Sequence, residues 1–231
     1  LTGRSPGHHG YTFFSQLTNG TYNLDLVKAD HYPADFYYTH LVASGVRCAI
    51  VDVPNDAPVP DFRGLHVVDW LTEYQAWEFQ TQPSTSKREI SERYGVLNDT
   101  GGYGPTIDSL EGHRHLRQKL ERSAAIKYEL MRELLERKDL DHIFVVFAEP
   151  HKAGHHLWKY MDPTHPDHVA AEPYLRDALL NVYQQLDSHL AQLSAQLSDR
   201  DNLLIFSDHG MQANYRGDQF VGTILERLGL S

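Results

Sequence analysis

Three short runs, VRCAIVDV (46–53), HIFVVFA (142–148) and NLLIFS (202–207), are dense in Val, Ile, Leu and Phe and do not alternate with polar residues. Continuous apolar composition over so few residues marks strands covered on both faces. Helical patterns lie between them. ADFYYTHLVASG sets Phe36, Leu41 and Val42 on one face and stops at Gly45, a helix-ending residue. Residues 113–138 are rich in Leu, Glu, Lys and Arg, and EPYLRDALLNVYQQLDSHLAQLSAQL carries a core-facing stripe of Leu175, Leu179, Val182, Leu186 and Leu190. Strands alternating with helices predict an α/β fold, a three-layer α/β/α sandwich around a largely parallel sheet. The stretch 54–112 breaks the rhythm: PNDAPVPDFRG and NDTGGYGPT are rich in turn residues, so an irregular, cap-like excursion over the strand ends is expected there. With no repeat or low-complexity tract, 1–231 reads as a single domain.

Charge narrows the function. The formal net charge of −10 argues against nucleic-acid binding, which needs a basic footprint. A phosphorylated substrate is compatible with such a chain only where bound cations invert the local field. No apolar run reaches the length of a bilayer span, so no membrane association is expected. Cys48 is the only cysteine, which rules out an internal disulfide and a thiolate zinc cluster. That fits a reducing compartment such as the cytoplasm, while periplasm and secretion stay open.

In open α/β sheets, ligands bind beyond the carboxyl ends of the strands. Two segments follow expected strands at that edge. FAEPHKAGHHLWKY (147–160) holds His151, His155 and His156; if the chain turns helical after Pro150, His151 and His155 share a face and suit one metal. His156 then points about 100° away, as a wall residue or an exposed one. Glu149 is placed to orient a ligand or to bind substrate. FSDHGM puts Asp208 and His209 just past the third run, where a carboxylate and an imidazole can reach one cation; a turn-capping Asp with an exposed neighbour is the alternative. The aromatic residues of DWLTEYQAWEFQ and GGYG, Trp70, Trp77 and Tyr103 among them, serve packing as readily as stacking, and they are not taken as site residues.

FSDHGM, FAEPHKAGHHLWKYMDPTHP and the opening LTGRSPGHHG, in that relation along the chain, resemble the alkaline phosphatase superfamily, in particular its type I phosphodiesterase/nucleotide pyrophosphatase branch. The likeness extends to VASGVRCAIVDVP, similar to that family's strand leading into a proline loop. The resemblance implies a metal-dependent phosphodiesterase or phosphatase acting on a small phosphorylated substrate. One divalent cation would be held at His151 and His155 and a second at Asp208 and His209, zinc being the usual metal. A Thr or Ser alkoxide would attack phosphorus and form a covalent phospho-enzyme.

The chain departs from that pattern at three points. His151 stands where the family usually has Asp, a neutral ligand in place of a charged one. The family's nucleophile and first metal-binding Asp would fall before Leu1, and neither Thr2 nor Ser5 matches the nucleophile's place, so no catalytic residue is assigned. His8 and His9 are expected as loop residues near the site. The family's further metal-binding His after SDHG has no counterpart, since no histidine follows His209. The chain is therefore expected to be an incomplete domain, part of a longer protein. A sulfatase-type hydrolase and a non-catalytic binding module on a degenerate hydrolase fold are the alternatives; oligomeric state is not readable.

Overall fold

The computed structural model describes residues 2–10, 15–18, 20, 21, 23–26, 36–71, 79–96, 109–213 and 220–229. Two compact units divide the chain, Leu1–Gly102 with Ala125–Ala148, and Tyr103–Ala124 with Glu149–Ser231. In chain order the elements are α1 (Pro6–His9), β1 (Ser15–Leu17), β2 (Leu24–Leu26), α2 (Tyr37–Ala43), β3 (Cys48–Val51), β4 (Gly64–Val68), β5 (Gln80–Gln82), α3 (Ser86–Tyr94), α4 (Leu110–Glu136), β6 (His142–Val145), α5 (Glu149–Met161), α6 (Pro173–Arg176), α7 (Ala178–Ser194) and α8 (Phe220–Arg227). None of the described helices is long and apolar enough to cross a membrane.

The first unit is built on a four-stranded sheet of order β5-β4-β3-β6, with β3 parallel to both neighbours and β5 antiparallel to β4. Alternation along β3 explains the layers. Ala49 and Val51 point into a core with Leu65, Val67, Trp70, Ile90, Leu130 and Leu134, on the α3 and α4 side. Cys48 and Ile50 point the other way, onto Tyr38, Val53 and Phe62, with Leu41 and Val42 of α2 packed against them. All four β3 residues are fully buried, as its unbroken apolar run predicts. A smaller antiparallel pair, β1 with β2, joins Ser15–Leu17 to Leu24–Leu26.

Burial also sets the chemistry of Cys48. Lost hydration and then the Asp141 charge push its thiol up to about 11. A raised thiol pKa means less thiolate, only about one molecule in a thousand at pH 8. Native protein at pH 8 is therefore expected to resist a disulfide-exchange reagent and to release one thiol equivalent promptly in denaturant. Prompt labelling of the native chain would contradict the buried placement.

The carboxyl ends of the parallel strands are tied together by polar contacts. Asp52, directly after β3, accepts hydrogen bonds from the backbone N–H groups of Trp70 (2.8 Å) and Leu71 (2.9 Å), beyond the end of β4. Lys127 of α4 reaches the same carboxylate at 3.0 Å and donates to the Val146 carbonyl, after β6, at 3.0 Å. Both charged side chains are completely buried. A second buried contact joins His66 Nε2 of β4 to Asp56 at 2.7 Å. The Val59 N–H donates to His66 Nδ1, so Nε2 carries the proton given to Asp56.

In the second unit α5 packs on α6 and α7. Ala153, Leu157 and Tyr160, spaced four and three residues apart, are buried on one stripe of α5, and Leu175, Leu179 and Val182 of the expected stripe are buried on α6 and α7. That long helical pattern is interrupted at Asp177, which separates α6 from α7.

Two expectations are corrected. The stretch 54–112 is not an irregular excursion in its described part: it supplies β4, β5 and α3, two of them strands of the main sheet. Residues 72–78 and 97–108 of it, with Trp77 and Tyr103, lie outside the described residues. The run 202–207 forms no strand, and Leu204, Ile205 and Phe206 are 80%, 61% and 61% exposed. Strand composition alone does not make a strand, because the ladder needs a partner edge to satisfy its backbone groups.

Candidate metal and catalytic site

α5 starts at Glu149, so the chain does turn helical at Pro150, where the missing N–H of proline costs nothing in the first turn. Four-residue spacing then stacks His151 and His155 on one face, away from the buried stripe. Their Nε2 atoms lie 3.1 Å apart, and the rings meet edge to face with centroids at 4.5 Å. Burial lowers both imidazole pKa values, and the neighbouring histidine His209 lowers them further. Asp208 opposes that effect at His151. Both rings are thus favoured in the neutral form, which is the ligating form.

The His209 ring joins this face, its centroid 5.7 Å from that of His151. His209 Nδ1 lies 2.9 Å from the Gly210 carbonyl, which can only accept, so Nδ1 holds the proton and Nε2 keeps its lone pair. Asp208 lies beside it, Oδ1 accepting the His209 backbone N–H at 3.0 Å and standing 3.8 Å from His209 Nε2. Its side chain is 84% exposed.

Two imidazole nitrogens bound to one tetrahedral cation at about 2.0–2.1 Å stand roughly 3.3 Å apart. The His151–His155 spacing is close to that separation, and here it is a hydrogen bond in which one Nε2 donates to the other; a divalent ion held by both rings would take the place of that proton. Among the described residues no group of three or more His, Cys, Asp or Glu side chains converges to complete such a shell.

Other candidates fall elsewhere. His156 turns toward His113 of α4, ring centroids 6.2 Å apart, and His113 Nδ1 in turn meets the Tyr160 hydroxyl at 2.8 Å. Glu149, expected to orient a ligand or bind substrate, is 2% exposed and accepts a hydrogen bond from Ser123 of α4, so it anchors the first turn of α5. His8 and His9, expected in a loop, belong to the one-turn α1. Trp70 is fully buried and donates from Nε1 to the Gly95 carbonyl at 3.0 Å, a packing role.

Sequence reasoning did not find Gly154 and Met211. A Cβ placed on Gly154 would lie 1.8 Å from Met211 Sδ, so the thioether occupies the space where a side chain at 154 would be. The glycine between the two histidines was visible in the sequence, but its partner is 57 residues further on.

A family model described as type I phosphodiesterase / nucleotide pyrophosphatase matches residues 1–228. No curated protein and no solved structure matches the chain.

Proposed function

We propose, from the premise that the chain belongs to the type I phosphodiesterase / nucleotide pyrophosphatase family, that it is a metal-dependent hydrolase of phosphoric esters. Membership itself implies hydrolysis of phosphodiester or pyrophosphate bonds. The metal and its ligands extend that reading: His151 and His155 hold one divalent cation, and Asp208 and His209 contribute the donors of a second. The observation that carries it is the pair of imidazoles, both with pKa lowered first by burial, whose Nε2 atoms stand about one metal-width apart on one face of α5.

Zinc suits nitrogen donors with one carboxylate. Bound there, a cation acts as a Lewis acid on the phosphoryl group and offsets its negative charge. The chain's own part is to hold the donors ready. The α5 backbone fixes the His151–His155 spacing, and the Gly210 carbonyl fixes the His209 tautomer that leaves Nε2 open. A small phosphorylated molecule is the substrate class; with a formal net charge of −10, the chain favours an anion only where cations stand.

The purified intact protein should contain bound divalent metal and should cleave a chromogenic phosphodiester. His155→Ala should weaken metal affinity by at least about 100-fold, since even outer-shell partners of a ligand cost 10–100-fold. Asp208→Asn, which keeps the side-chain shape, should also lower metal content. If metal content and affinity were the same in wild type, His155→Ala and Asp208→Asn, these residues would not be ligands and the reading would fail.

A further inference from the structure

The four residues Ser207 to Gly210 are shaped by their own hydrogen bonds: Ser207 Oγ donates to the His209 carbonyl at 2.6 Å, the His209 N–H to Asp208 at 3.0 Å, and His209 Nδ1 to Gly210 at 2.9 Å. Each bond stays within the segment. Residues 201–210 are exposed, whereas Met211 is half-buried and Ala213 is 7% exposed. The chain therefore enters the packed interior two residues after His209. It does so through Met211, whose Sδ, Cε and Cγ lie 1.8, 3.2 and 3.4 Å from where a Cβ of Gly154 would stand. Gly154 immediately precedes His155 on α5, so one contact joins the backbone beside one histidine group to the side chain beside the other.

We propose that Met211 is a positioning residue: seated in the notch left by Gly154, it sets the distance between the Asp208–His209 pair and the His151–His155 pair. This rests on the metal-site reading above for its functional meaning, but the geometric claim does not need a metal. Methionine suits the task because an unbranched thioether fills a narrow groove between backbones without a fixed shape of its own. Glycine suits the other side because any Cβ would displace the sulfur. Nothing else in the segment 207–211 reaches as deeply, and the site it registers has no regular element holding its second half.

Three variants separate the possibilities: Met211→Ala empties the notch, Gly154→Ala fills it, and Met211→Leu refills it with similar volume. The first readout is metal-free. In protein with labelled histidine rings, the cross-relaxation signal between His151 and His209, whose rings are 5.7 Å apart, should be present in wild type, lost in Met211→Ala and weakened in Gly154→Ala, where the flexible Met211 side chain has to shift. The second readout is Co²⁺ titration followed by its visible spectrum. In Met211→Ala the binding at the His151–His155 pair should persist, while the Co²⁺ signal that depends on Asp208 weakens. In the intact protein, kcat on a chromogenic phosphodiester should fall by about 10–100-fold with KM nearly unchanged, as expected when reacting groups are misplaced by about 1 Å. Met211→Leu should restore most of each signal, which sets positioning apart from general destabilisation. If the ring–ring signal were unchanged in Met211→Ala, the proposal would be wrong. If it is lost while wild type binds no Co²⁺, positioning stands and the metal reading falls.

Discussion

Gly64→Ala is expected to abolish the folded state of the sheet unit. Gly64 opens β4 opposite Cys48, at φ +123°, and a Cβ there would lie 1.9 Å from the Cys48 carbonyl oxygen and 2.9 Å from its carbon. The obstruction is backbone of the central strand, so no rotamer relieves it. Either β4 swings away from β3 or the pairing is lost, and with it the cores on both faces of β3. The cost exceeds about 4–5 kcal/mol, the range where single substitutions become diagnostic of a broken structural requirement. Gly95→Ala is the matched comparison: Gly95 also has positive φ, +80°, but nothing lies within 4 Å of its added Cβ. With ψ at 174°, Gly95 sits in a region nearly confined to glycine, so that variant bears only the backbone penalty, about 1–3 kcal/mol. Far-ultraviolet circular dichroism and urea titration of the two proteins check the contrast. Equal stability of the two would mean that β4 does not pair where it is described.

Lys127→Met should be strongly destabilising although it leaves backbone geometry alone. It removes the ammonium from a fully buried carboxylate and from the Val146 carbonyl together. A buried ion pair is weak evidence of net stabilisation, yet breaking one from a single side costs about 3–5 kcal/mol because the remaining charge is left in a dry interior. For a chain of this size that corresponds to a melting point lower by about 6–20 °C. Adding Asp52→Asn should recover part of the loss. The amide still has an oxygen to accept from Trp70 and Leu71, and no uncompensated charge remains. A double variant less stable than Lys127→Met alone, or a single variant melting with wild type, would show that the buried charge is balanced by groups other than these two.

The parts of the fold that the sequence disclosed are those whose signal is local. β3 and β6 announce themselves as unbroken apolar runs because both faces of β3 are covered, and α4 announces itself through composition. β4 escaped notice because its sequence, GLHVV, puts a buried histidine in the strand, and Asp56 and the Val59 N–H, both earlier in the chain, make that acceptable. The run 202–207 misled for the opposite reason. Its residues satisfy strand preference, but preference describes a surface that packs well and does not provide the neighbouring strand. The break at Asp177 hides in an otherwise continuous helical stripe.

The candidate site divides along the same line. His151 and His155 were legible because a helix brings residues four apart together, and this is a property of the segment alone. Their relation to His209 is a meeting of segments more than fifty residues apart, and no spacing rule encodes it. Neither does any rule give the Gly154–Met211 contact that accompanies it. Glu149 shows the reverse error. Beside histidines at a strand's end a carboxylate looks chemical, and only the Ser123 hydroxyl and its burial reveal that it fastens a helix.

Asp52 and Asp69, each fully buried and each in the left-handed region directly after a parallel strand, have φ of +60° and +52°. For Asp52 this narrows the alphabet the position can use. Glycine would relieve the backbone but bring no acceptor for Trp70, Leu71 and Lys127. Asparagine tolerates the backbone and accepts from both amides, but offers Lys127 no charge. Glutamate keeps the charge on a longer arm, without aspartate's ease in a left-handed turn. One position thus carries a backbone demand and an electrostatic demand that only aspartate meets together, so a substitution there can drift only if Lys127 changes with it.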